Sequence, residues 1–168
     1  MQEPARIARN KERLTECFPS FAARVAAVIA DMEAQGFRPR IQDAHRTAAQ
    51  QQADIDAGTT TVTFSFHMVT GANGKPEALA VDMLDDDHPV GPVPRKYLIT
   101  LASVAQKHGL NSGIHFFKKE PPPGTREKVQ AAIDSLNFSE HVVIGFDPTH
   151  LEPTGITIAQ ARAGQRPA

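Results

Sequence analysis

Apolar positions recur at helical spacing early in the chain. Phe21, Val25, Val28, Ile29 and Met32 share one face of a helix predicted from about Ser20 to Gln35, and Gly36 is placed to end it. Ile41, set among polar neighbours after Pro39, predicts a short edge strand. Thr47-Ala48-Ala49-Gln50 has the form of a capping box, which predicts a second helix stopping at Gly58. From Thr60 the period changes to two. Val62, Phe64 and Phe66 alternate with Thr61, Thr63 and Ser65, the pattern of a half-buried strand. A second alternating run, Ala78 to Leu84, follows Asn73-Gly74, a dipeptide suited to a two-residue hairpin turn. Pro94 to His108 predicts a helix with Leu98, Leu101, Val104 and Ala105 inward. Strands are further predicted over Ile114–Phe117 and His141–Phe146, and helices over Thr125–Leu136 and from Thr157 to near Gly164. Asp147 to His150 reads as a loop. Short strands with helices on their flanks make the expected fold class α+β, a small, mostly antiparallel sheet with flanking helices. The expected organisation is one domain over residues 1–168, ordered from about 14 to 164, with frayed ends.

Composition narrows the function. Lys and Arg number 18 against 19 Asp and Glu, a net charge of −1, which argues against a nucleic-acid or anionic-membrane binder. Cys17 is the only cysteine, so a metal would be held by His, Asp and Glu. The longest apolar run, Val25 to Ala30, falls far short of the ~20 residues of a membrane span. Met1 to Arg13 carries Arg6, Arg9, Lys11 and Arg13 but no apolar core, so it is not read as a secretory signal. The expectation is a monomer, cytoplasmic as synthesised, that would reach any outside substrate by release or delivery.

Two stretches concentrate the informative polar residues: Ser65-Phe66-His67 with Ala80-Val81-Asp82, and Asp147-Pro148-Thr149-His150-Leu151-Glu152. If Asn73-Gly74 centres a hairpin, His67 lies opposite Ala80, and Asp82 falls on the same face as a diagonal neighbour. Two such side chains can converge on one ion. A catalytic zinc takes three ligands from His, Asp and Glu and leaves a position for water, whose pKa falls toward ~7. His67, Asp82 and His150 would make that set. Asp147, three residues before His150, can approach without occupying the metal and serve as the carboxylate that moves protons. Glu152 is read as a supporting residue rather than a ligand, with a part in orienting His150 left open. Asp85, Asp86 and Asp87 read as a solvated loop, with a second cation as the lesser alternative. His88 and His115 are left unplaced near the cleft, whereas His45, His108 and His141 are expected to be structural or exposed.

Ser65-x-His67, Ala80-x-Asp82 and Asp147-x-x-His150 together resemble the motifs of zinc peptidoglycan peptidases. These are D-alanyl-D-alanine carboxypeptidases and L-alanyl-D-glutamate endopeptidases, kin to lysostaphin and hedgehog domains. Arg46-Thr47 followed by Gln50 and Gln51 is similar to the family's upstream segment, and Pro19 to Pro39 to the helix before it. The resemblance implies a hedgehog-like fold, zinc on His67, Asp82 and His150, and Asp147 as general base and acid. It implies that Arg46 and Ser65 hold a substrate carboxylate or polarise the scissile carbonyl, Arg46 thereby assisting catalysis. The substrate would be a peptidoglycan stem peptide, cut preferentially between L-alanine and D-glutamate by an endolysin-like enzyme. A D-alanyl-D-alanine carboxypeptidase and a non-catalytic zinc-binding module are the alternatives. Two departures stand out. His67 and Asp82 are eight residues further apart than in the family pattern, an even insertion that a longer hairpin would absorb. Asn111-Ser112-Gly113 stands where the family often has Trp-Gly, and the chain has no Trp.

Overall fold

In a computed structural model describing residues 1–168, the amino-terminal segment expected to fray is a helix, α1 (Glu3–Leu14). Its inward face is polar. Buried Arg6 donates to the Pro39 carbonyl at 2.6 Å and pairs with Glu33 at 2.6 Å, and buried Asn10 bonds both Pro39 O and Ile41 N. These contacts cover the outer edge of β1 (Pro39–Asp43), where unpaired backbone groups would otherwise be open. The helix α2 (Pro19–Ala34) forms as its periodicity predicts, with Phe21, Val25, Val28 and Met32 fully buried. Gly36, at φ +83°, ends it in a conformation that side chains disfavour. The Thr47 capping box is present and starts α3 (Ala48–Asp56).

Four strands form one antiparallel sheet in the order β1-β2-β4-β3, with β2 at Val81–Asp85, β3 at Leu110–Ser112 and β4 at His150–Pro153. Val81, Met83 and Leu151 point into the main core with α2 and α4 (Arg95–Lys107). Alternation sends Asp82 and His150 to the opposite face. A smaller core joins Ile99, Ala102 and Ile114 to Val129 and Ile133 of α5 (Thr125–Ser135). A last helix, α6 (Ile158–Arg162), begins at the expected Thr157 capping box.

Three expected strands are absent. Thr60 to Ser65 is irregular and leads into a single 3-10 turn, Phe66–Met68. The loop that follows closes at Gly71–Gly74, Gly74 N donating to Gly71 O, and Thr70 bridges Pro76. Ala72 therefore does not pair with Lys75, and the long hairpin that would set His67 against Ala80 does not exist. Ile114–Phe117 is a 3-10 turn at Gly113–His115, with the strand displaced to β3. His141–Phe146 is a loop with Val143 and Phe146 exposed rather than a buried strand, and His150 opens β4 instead of ending a loop. The acidic run is not a solvated loop either. Asp85 and Asp86 are buried, and Arg40, Arg38 and the chain's amino group surround Asp86 at 3.0–3.1 Å. Arg38 and Arg40 thus already neutralise Asp86, while Asp87 stays exposed and pairs with Arg38.

Candidate metal centre

Asp82 on β2 and His150 on β4 are directly opposed across the antiparallel pair. Their side chains leave the same face of the sheet, and His150 Nδ1 lies 3.3 Å from Asp82 Oδ1. His67 arrives from outside the sheet, on the 3-10 turn. Its ring is held from behind, Nδ1 donating to Ala44 O at 2.6 Å, which turns Nε2 toward the other two. That nitrogen lies 3.3 Å from His150 Nδ1 and 3.5 Å from Asp82 Oδ1. Two ligands of a tetrahedral zinc at about 2.0–2.1 Å stand roughly 3.3–3.4 Å apart. The three donor atoms thus already span one face of such a tetrahedron, and two imidazoles with one carboxylate form a donor set that zinc favours. The expected triad comes together, by a route different from the expected hairpin.

Asp147 sits at the rim, its Oδ2 3.9 Å from His150 Nδ1, beside the triad rather than in it. Close backbone packing fixes its place. A Cβ on Gly113 would run into the Asp147 carbonyl, and Ser112 Oγ donates to Pro148 O at 2.9 Å. The segment that departs from the Trp-Gly pattern therefore positions this acid. Arg46 and Ser65 line the same cleft, of about 230 Å³. Arg46 Nη1 bonds Gln51 and pairs with Asp54, while Nη2 faces Asp82 Oδ2 at 3.9 Å; the Ser65 hydroxyl is buried without a partner. Phe116 and Phe146 form one wall, their ring centroids 6.3 Å apart, with Phe116 5.7 Å from the His150 ring. The sequence pattern puts both in strands and hides this role, since nothing local marks Phe146 as exposed. The extra residues between His67 and Asp82 form the Val69–Glu77 excursion, held outside the triad by Arg166 on Glu77 and on Thr70 O. His88, His108, His115 and His141 do not line the cleft. A larger hollow of about 490 Å³ between Arg24 and Arg166 carries no histidine or carboxylate side chain.

Electrostatics tie the three donors together. Burial opposes ionisation of Asp82, but hydrogen bonds from His150 and His67 outweigh it and hold its carboxyl well below the ordinary range. Burial likewise disfavours charge on His150, yet hydrogen bonds to Asp82 and Glu152 raise its pKa to about 9. Asp147 is pushed up by burial, with the His150 charge pulling the other way. Without metal, charged His150 contributes stability that is complete below its unfolded value of 6.5 and is lost as pH rises through about 9. The Asp82 contribution is present above 3.8 and is lost in acid. Metal-free protein is therefore expected to lose several degrees of melting temperature as pH rises from 6.5 to 9. Thermal scans across that range check this; a melting temperature that climbs from pH 6.5 to 9 would contradict it.

No family model and no curated protein sequence matches the chain. Among solved structures, the fold is similar to that of the Serratia marcescens L-Ala D-Glu endopeptidase ChiX, with a TM-score of 0.53 at 16% identity over 88% of this chain and 87% of that one. The vancomycin-resistance D,D-pentapeptidase VanY in complex with Zn(II) aligns with a TM-score of 0.45 at 16% identity, over 85% of this chain and 74% of that one. The chain thus has the α+β fold seen in the L-Ala D-Glu endopeptidase structure.

Proposed function

We propose that this protein is a zinc-dependent peptidase that hydrolyses an amide bond in peptidoglycan stem peptides, with the L-alanyl-D-glutamate bond as its target. The observation that carries this reading is the convergence of His67 Nε2, Asp82 Oδ1 and His150 Nδ1 within 3.5 Å of one another, with an acid beside them. The endopeptidase fold adds to it. His67, Asp82 and His150 would hold the zinc, which when bound supplies Lewis acidity toward a carbonyl oxygen and makes water more acidic.

The chain's own residues do the remaining work. The Asp147 carboxylate takes a proton from the attacking water and returns it to the departing amide nitrogen. Burial, which raises its proton affinity above that of an exposed aspartate, suits it to both steps. The Arg46 guanidinium binds the substrate's carboxylate or its carbonyl oxygen; the Ser65 hydroxyl, buried in the cleft wall, would turn outward to join it. Phe116 and Phe146 close one side of the cleft and offer apolar surface to the substrate. No helix is long and apolar enough to cross a membrane, and an endolysin-like enzyme would meet the wall after release or delivery.

Mass spectrometry of fragments released from defined peptidoglycan tests the assignment. The expected products carry a new carboxyl end on L-alanine and a free amine on D-glutamate, and a zinc chelator stops their formation. Release of terminal D-alanine alone would reassign the enzyme as a carboxypeptidase. Absence of any metal-dependent cleavage would sink the proposal.

A further inference from the structure

Resting on that zinc-site reading, we infer that Glu152 is a positioning residue that decides which nitrogen of His150 faces the metal. Glu152 is two residues after His150 on β4, so the two side chains leave the strand on the same face, while Leu151 between them enters the core. Its Oε2 lies 3.2 Å from His150 Nε2, and His150 is the only hydrogen-bonding partner of its side chain. The carboxylate is four-fifths buried, a costly place for a charge with a single partner. A residue serving only to build the strand would not need that charge.

Glu152 lines the same cleft but falls outside the cluster of donor atoms formed by His67, Asp82 and His150. The lone pairs of the two imidazole nitrogens point away from one another. A carboxylate bonded to Nε2 therefore stands behind the ring from the group that Nδ1 meets. With Nε2–H engaged by Glu152, the Nδ1 lone pair is left for the site. His67 is arranged the other way round: Ala44 O holds its Nδ1–H, and Nε2 faces inward. Each ring is thus locked by an acceptor on its far side, a backbone carbonyl for one and a carboxylate for the other. Only the second lock can be removed by substituting a side chain.

Two variants and two readouts test this. Zinc affinity, measured with zinc ions alone against a chromophoric chelator, is expected to fall about 10–100-fold in Glu152→Leu. Glu152→Gln, whose amide oxygen still accepts from Nε2, recovers most of that loss. In metal-free wild-type protein, NMR is expected to show a His150 Nε2–H proton protected from exchange. That proton vanishes in Glu152→Leu and shifts upfield in Glu152→Gln, as a charge-assisted bond becomes a neutral one. The His67 Nδ1–H signal stays in place throughout and reports an intact fold. Wild-type zinc affinity in a folded Glu152→Leu protein would overturn the inference. If that variant does not fold, an unshifted Nε2–H proton in Glu152→Gln overturns it instead. A wild-type protein that takes up no zinc defeats the proposed function, whereas the metal-free NMR signal still decides the hydrogen bond.

Discussion

An Asp147→Asn protein is expected to bind zinc as the wild type does and to hydrolyse stem peptides about 10²–10⁴-fold more slowly. The substitution keeps the size of the side chain and leaves the turn in place. That turn is held by backbone packing on Gly113 and by Ser112 on Pro148 O, and neither contact uses the carboxylate. The loss is confined to one property: an amide accepts no proton from water and delivers none to a leaving amine. Because Asp147 Oδ2 lies 3.9 Å from His150 Nδ1 and outside the donor cluster, metal content should be untouched. Metal analysis alongside a hydrolysis assay separates the two effects. Full activity in Asp147→Asn would remove the proton-transfer role from the proposal.

His67→Ala and His150→Ala are each expected to abolish stoichiometric zinc binding and all turnover. With His150 gone, Asp82 loses its nearest partner, and two donors remain of a set that needs three. A ligand that binds the folded state at 100 times its Kd stabilises it by about 2.7 kcal/mol. Zinc should therefore raise the melting temperature of the wild type by several degrees and leave both variants unmoved. Equal zinc-induced shifts in wild type and His150→Ala would show that the metal sits elsewhere.

Helices proved readable wherever their signals were local. α2 and α4 announce themselves by apolar spacing, and α3 and α6 by capping boxes that are both formed. α1 escaped because the face it buries carries Arg6 and Asn10, polar residues that satisfy backbone groups of β1, so no apolar stripe marks it. Thr60 to Phe66 alternates like a strand, but its apolar side chains are divided between cleft and core. Val62 is exposed at the cleft, and Phe66 is buried in the core. His141 to Phe146 misleads for a similar reason. Ile144 packs inward, whereas Phe146 stands exposed as the wall of the site.

That His67, Asp82, His150 and Asp147 belong to one cleft was legible from residue type and from the resemblance of their motifs, while the hairpin spacing that first joined His67 to Asp82 does not form. How they meet was not. Asp82 finds His150 through pairing of β2 with β4, a contact between segments 68 positions apart, and His67 enters on a turn anchored to Ala44. Strand partnership depends on which hydrogen-bonding edges remain open once helices have packed, and no local pattern encodes that choice. The same holds for the aromatic wall and for Glu152 behind the His150 ring. Their neighbours come from distant stretches of chain or depend on a strand assignment, and become evident only when the sheet is assembled.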